Sequence, residues 1–140
     1  MCIRDRGRIY FNARRETHTV DGAYTVTAAD SGKVFMLSST AGACEITLPT
    51  TLEEGLYYKF IVEEDTPTGV ITIAAGGTNK VDLVMKDIGG DASNSTAGTQ
   101  VDNIVIAVAT KQGDYIDMFT DGSTWYAECM SSTNNSITTS

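Results

Sequence analysis

Any chemistry in this chain would have to come from a short set of side chains. His18 is the single histidine. A hydrolytic triad needs such a base held beside a nucleophile, and no nucleophile-elbow motif accompanies His18 in its polar surroundings. Asp87 and Asp91 flank Ile88-Gly89-Gly90, which sets two hard oxygen donors around a glycine turn, as a calcium loop would. The alternating ligands and closing glutamate of an EF-hand are missing, so a solvated acidic loop is the competing reading. Cysteine–histidine spacing for zinc is absent. Glu45, Glu63, Asp117 and Glu128 fall in strand-like runs. Two of them converging would supply the carboxylate pair of a glycoside hydrolase, whereas acids on strands ordinarily face solvent. Gly76-Gly77 lacks the lysine and hydroxyl of a phosphate cradle. Alternation along a strand sends Trp125 and Tyr126 to opposite faces, so at most one can stack on a sugar. Trp125 is the expected core plug. Asn94-Ser95-Thr96 fits a glycosylation acceptor but comes without a secretion signal. These residues give no catalytic constellation and no cofactor motif, and a protein that is not an enzyme is expected.

The elements that would position these groups are short strands. Tyr24 and Val26 alternate with threonines, the mark of a half-buried strand. Asp30-Ser31-Gly32 then makes a turn, with Asp30 or Ser31 capping and Gly32 free to take positive φ. Lys33 to Leu37 is apolar enough for burial on both faces. Cys44 to Leu48 alternates until Pro49 stops it, since proline cannot donate to a central ladder. Leu56 to Val62 is the strongest strand, with Leu56, Tyr58, Phe60 and Val62 on one face. Val70–Ala74, Lys80–Met85 and the apolar run Ile104–Ala109 follow, separated by a loop over residues 86–100. Tyr115–Phe119 and Thr124–Cys129 read as a hairpin around Asp121-Gly122. About nine short, mostly antiparallel strands at this spacing predict an all-β fold, a single β-sandwich of jelly-roll type. The expected organisation is an N-terminal arm over 1–22, the sandwich over 23–130 and a polar tail over 131–140, in which Ile137 could pin a terminal strand.

Composition narrows the function classes. With 140 residues the chain is one domain, and with only 2 prolines against 13 glycines its turns must be glycine turns. The formal charge is −8, and all five arginines lie in the first 15 residues. Residues 16–140 set five lysines against seventeen carboxylates, a net −12. A body this acidic repels phosphate backbones and anionic membranes, so neither nucleic acid nor a membrane is an expected partner. No apolar run approaches the roughly 18 residues that span a bilayer, and no apolar h-region marks a signal peptide. Cys44 and Cys129 sit in strand-like runs as buried free thiols, with a bridge between them as the alternative. Assembly in the cytosol follows.

Met1-Cys2-Ile3-Arg4-Asp5-Arg6-Gly7 resembles a translated sequencing-adapter remnant of the kind found in metagenomic assemblies, which would make residues 1–7 foreign to the natural protein. The alternative is a basic arm for an acidic partner. From Tyr24 to Tyr126 the chain resembles small β-rich virion proteins of tailed phages, marine ones especially. The resemblance rests on Thr25-Val26-Thr27-Ala28-Ala29-Asp30-Ser31-Gly32-Lys33, Ile46-Thr47-Leu48-Pro49, Gly55-Leu56-Tyr57-Tyr58-Lys59-Phe60, Gly113-Asp114-Tyr115 and Asp121-Gly122-Ser123-Thr124-Trp125-Tyr126, in that order. It implies a capsid decoration protein on the outer surface of the head, or a receptor- or carbohydrate-binding module of a tail fibre or spike. It implies no catalytic residues. The expected partners are the major capsid protein lattice or other virion proteins, with the chain itself as a homotrimer and its place in the virion.

Overall fold

Alternation governs nearly every strand. In Tyr57–Val62 the side chains of Tyr58, Phe60 and Val62 turn inward, while Tyr57, Lys59 and Ile61 turn outward. The computed structural model describes residues 2–5, 8–11, 14–65, 67–89 and 97–140. Its strands are β1 (Cys2–Asp5), β2 (Arg8–Phe11), β3 (Thr17–Asp21), β4 (Tyr24–Thr25), β5 (Val34–Ser38), β6 (Cys44–Thr47), β7 (Tyr57–Val62), β8 (Ile71–Ala74), β9 (Val81–Asp87), β10 (Ala97–Val101), β11 (Asn103–Ile106), β12 (Tyr115–Thr120), β13 (Trp125–Ser131) and β14 (Ile137–Thr139). One turn of 3-10 helix, Ala28–Asp30, is the only helical element among the described residues.

The protein is an all-β sandwich. A seven-stranded sheet in the order β10-β9-β13-β12-β7-β5-β3 faces a five-stranded sheet in the order β14-β11-β8-β6-β4, and β1 and β2 pair separately as a hairpin. From β3 to β8 successive strands alternate between the sheets. Hence β3, β5 and β7 run parallel in one sheet, and β4, β6 and β8 run parallel in the other. Parallel neighbours need a long crossover, ordinarily a helix; here the crossover is a strand of the opposite sheet. The C-terminal part closes the sandwich with antiparallel pairs: β11 beside β8, β12 beside β7, and the β12–β13 hairpin.

Two expectations are corrected by this topology. The sheets hold seven and five strands rather than about nine, and half of their neighbouring pairs are parallel rather than mostly antiparallel. Tight glycine turns suggest hairpins, but several of them here carry the chain across to the other sheet. The sandwich also extends past 23–130. Thr17–Asp21, assigned to the arm, pairs with β5, and Ile137–Thr139, assigned to the tail, pairs with β11.

Both sheets bury one shared core. Ile46, Ile71, Ile73, Ile104 and Ile106 of the five-stranded sheet meet Phe35, Leu37, Tyr58, Phe60, Ile116, Met118 and Trp125 of the seven-stranded one. Each large side chain buried this way contributes about 1.5–3 kcal/mol. Phe60 stacks on Phe35 at 5.2 Å, and Trp125, fully buried, lies 5.6 Å from Tyr58. The Tyr58 hydroxyl donates to the Thr27 carbonyl at 2.9 Å, and burial pushes its pKa up to about 12.

The turns that begin and end the core carry the expected chemistry. Asp30 is buried and accepts from the Thr27 N–H at 2.9 Å, the Thr27 hydroxyl at 2.8 Å and Lys33 Nζ at 2.9 Å, a capping box on the short helix. Gly32 follows at φ +89°, a conformation that suits glycine. Leu48 is buried, and its N–H donates to the Ala74 carbonyl at 2.9 Å. Pro49, one residue later, lies past the end of β6.

Candidate functional site

The singled-out residues separate into packing groups and one surface cluster. His18 sits in β3 against Tyr24 at 4.8 Å and Phe35 at 5.9 Å, as an aromatic packing residue. Asp87 ends β9; its Oδ2 accepts from the Asn135 N–H at 3.1 Å, while its buried Oδ1 has no partner among the described residues. Asp91 and Asn94-Ser95-Thr96 lie outside the described residues. Among the described residues no group of three His, Cys, Asp or Glu could hold a metal ion. Cys44 and Cys129 are buried free thiols. Desolvation raises the pKa of both, that of Cys129 to about 12. Glu45 points outward from the five-stranded sheet. Trp125 is a core residue, and its neighbour Tyr126 lies on the opposite, outer face.

Asp117 and Glu128, by contrast, are brought together. The β12–β13 hairpin turns through Asp121–Thr124, with Thr120 opposite Trp125. Asp121 Oδ1 accepts from the Ser123 N–H at 2.8 Å and the Thr124 N–H at 2.9 Å, and Gly122 takes φ +93°. The two backbone hydrogen bonds, followed by that of the Ser123 hydroxyl, hold the Asp121 pKa down to about 2. This turn fixes the register, so Phe119 falls opposite Tyr126 and Asp117 opposite Glu128.

The neighbouring strands extend these pairs into rows across the outer face of the seven-stranded sheet. One row reads Asp82, Tyr126, Phe119, Tyr57; the next reads Val84, Glu128, Asp117, Lys59. A groove of about 720 Å³ follows the rows, lined by residues of β7, β9, β12 and β13 and by Thr99 of β10. Phe119 is 52% exposed and Val84 50%. Phe119 stacks on Tyr126 at 5.4 Å with 25° between the rings, and the Tyr126 hydroxyl donates to Asp121 Oδ2 at 3.2 Å.

Polar groups hold the walls. Tyr57 Oη donates to Asp117 Oδ1 at 2.9 Å, and Lys59 Nζ donates to Asp117 Oδ2 at 2.9 Å. Lys59 also lies 4.2 Å from the centre of the Tyr115 ring. Arg15 Nη1 donates to Tyr57 Oη at 3.1 Å. Asp82 Oδ1 accepts from the Gln100 N–H at 2.7 Å and from Gln100 Nε2 at 3.2 Å. Lys86 reaches Glu128 at 3.4 Å. The arrangement can hydrogen-bond a polar ligand while an aromatic surface stacks against it.

No family model and no curated protein matches this chain. Of the groove residues, Asp117, Glu128 and Tyr126 were visible in the sequence as candidates, and Tyr57, Asp82 and Phe119 were not. The signal for Phe119 was available: a hairpin turning at Asp121-Gly122 forces it opposite Tyr126.

Proposed function

We propose that this chain is a virion structural protein of a tailed phage that works by docking rather than by chemistry, as a decoration protein on the outer surface of the head. Its partners are then the major capsid protein lattice and further copies of itself, as a trimer at threefold positions. One observation carries the reading beyond the sequence resemblance. Strands β3 and β4 follow each other in the chain, and each closes one sheet at the same side of the sandwich. Among the described residues nothing pairs with their outer backbone edges. An extended segment of a shell protein can add to such an edge through main-chain hydrogen bonds. The acidic body suits the role, because it discourages capture of DNA during assembly.

Co-sedimentation of the full chain with purified, undecorated heads of the phage that encodes it tests the reading. Saturable binding with one trimer per threefold position is expected. Heads that pellet without the protein at micromolar concentration overturn it. Residues 1–13 are the segment to remove in a truncation, because a deletion through residue 22 takes β3 with it. Retained head binding by that truncation favours the edge over the arm.

A second reading, a carbohydrate- or receptor-binding module of a fibre or spike, is favoured by a different observation: the aromatic groove around Phe119 and Tyr126.

A further inference from the structure

We infer that the groove on the outer face of the seven-stranded sheet is a binding site for a neutral saccharide, with the Phe119–Tyr126 pair as its stacking platform and Asp82, Asp117 and Glu128 as its hydroxyl acceptors. The inference rests on the chain being a binding protein and not on its place in a virion.

The first support is a pair of adjacent carboxylates that folding does not need. Asp117 and Glu128 stand directly opposite each other on neighbouring strands, and like charges there destabilise a sheet. Lys59 and Lys86 each pair with one of them, but pairing with a side lysine does not remove the juxtaposition. The adjacent carboxylates give the sheet little or no stability, and side chains that do not serve the fold concentrate where a protein binds something. Vicinal hydroxyls of a sugar supply donors to two adjacent carboxylates at once.

The second support is the company those carboxylates keep. The centre of a protein–protein interface is depleted in charge, whereas this groove mixes Asp82, Lys86, Asp117 and Glu128 with the exposed ring of Phe119 and the half-buried rings of Tyr57 and Tyr126. A sugar ring has the matching two-sided character: an apolar C–H face for the aromatic pair and a rim of hydroxyls for the carboxylates. The groove volume lies within the range of small-molecule sites. Its side chains stand on paired strands, which hold positions better than loops do. The lining itself holds three carboxylates and one lysine, with Lys59 and Arg15 bound to wall residues just outside it, so its rim is rich in acceptors and suits a neutral, hydroxyl-bearing sugar better than a sulfated, phosphorylated or uronic one.

The test is a titration of the full chain with neutral cello-, malto-, manno- and chito-oligosaccharides at millimolar concentration, followed by backbone amide chemical shifts. At least one series is expected to shift the signals of β12 and β13 saturably. Phe119→Ala is expected to weaken that binding about tenfold or more, with the emission of buried Trp125 unchanged as the control for folding. A panel that produces no shifts overturns the inference. So does binding that Phe119→Ala leaves intact, or a sulfated oligosaccharide that binds more tightly than its neutral parent. Concentration-dependent self-association that maps to the same signals and disappears in Phe119→Ala also overturns it, because the face is then a contact between copies. Failure of head binding with saccharide binding retained removes the decoration reading alone.

Discussion

The two outer faces of the sandwich are built by the same alternation over the same core, yet they carry different side chains. The seven-stranded sheet presents Tyr57, Phe119 and Tyr126 in one row and Lys59, Asp117 and Glu128 in the next. The five-stranded sheet presents Glu45, Thr72, Val105 and Thr138 in one row and Thr25, Thr47, Ala74 and Asn103 in the next. Threonine and small residues are what a solvated strand face carries when nothing further is asked of it. The five-stranded sheet is built without aromatics or paired carboxylates in these outer rows, so the fold as such does not require them. The difference isolates what is specific to the seven-stranded sheet from what is generic to the fold.

The largest effects should respect no boundary between the faces, because the core beneath them is shared. Phe60→Ala removes a fully buried ring stacked on Phe35 and is expected to cost about 3–5 kcal/mol, read from the urea midpoint. Signals of both sheets should be lost in one transition. Separate transitions would break the comparison by making each sheet its own unit.

Asp30→Asn comes next. Asp30 closes the turn that carries the chain from β4 in one sheet to β5 in the other, and its loss should cost about 1–2 kcal/mol. Burial raises the Asp30 pKa, but the hydrogen bonds from Lys33 and Thr27 outweigh it, so the folded value lies below the ordinary 3.8. A carboxylate with a depressed folded pKa contributes its stability above the unfolded value and loses it as pH falls through the folded one. The gap in urea midpoint between the native protein and Asp30→Asn should therefore be full at neutral pH and narrow below 3.8. A gap constant with pH would show that the carboxylate's charge contributes nothing.

Much of this frame is legible in the residues. The alternation of Leu56–Val62, the Pro49 stop and the Asp121-Gly122 turn each mark an element that is present, and Trp125 is the core residue its position beside Tyr126 suggests. Strand β3 is harder to read because it lies at a sheet edge and buries only Val20 fully; with so little inward, its pattern is that of a polar arm. The parallel pairings leave no local trace, since Val34 meets Lys59 and Cys44 meets Ile71 only through the crossing of the chain between sheets. The site divides in the same way. The Phe119–Tyr126 and Asp117–Glu128 pairs follow from one recognisable turn, whereas Tyr57 and Asp82 join them through long-range neighbours.

Smaller effects separate stability from binding on the seven-stranded face. Glu128→Gln relieves the charge opposite Asp117 and gives up an exposed pair with Lys86. These changes nearly offset, so stability should stay constant or rise by about 0.5 kcal/mol, while saccharide affinity falls about tenfold with the loss of a charged acceptor. Thermal melts and the oligosaccharide titration read the two quantities side by side. Parallel loss of both would mean that Glu128 is a structural residue.

The smallest effect is the most discriminating. Thr72 occupies the middle of the five-stranded sheet's outer face, between Glu45 and Val105, much as Asp117 lies between Lys59 and Glu128 on the other sheet. Thr72→Ala alters a half-exposed strand position and should change stability by no more than about 0.5 kcal/mol. It should leave the oligosaccharide-induced shifts of β12 and β13 untouched. A substitution with equal structural reach and no functional reach is what an unspecialised face predicts. If Thr72→Ala weakened saccharide binding as much as Glu128→Gln, the two faces would be coupled through the core, and ligand affinity would report sandwich rigidity rather than contacts in the groove.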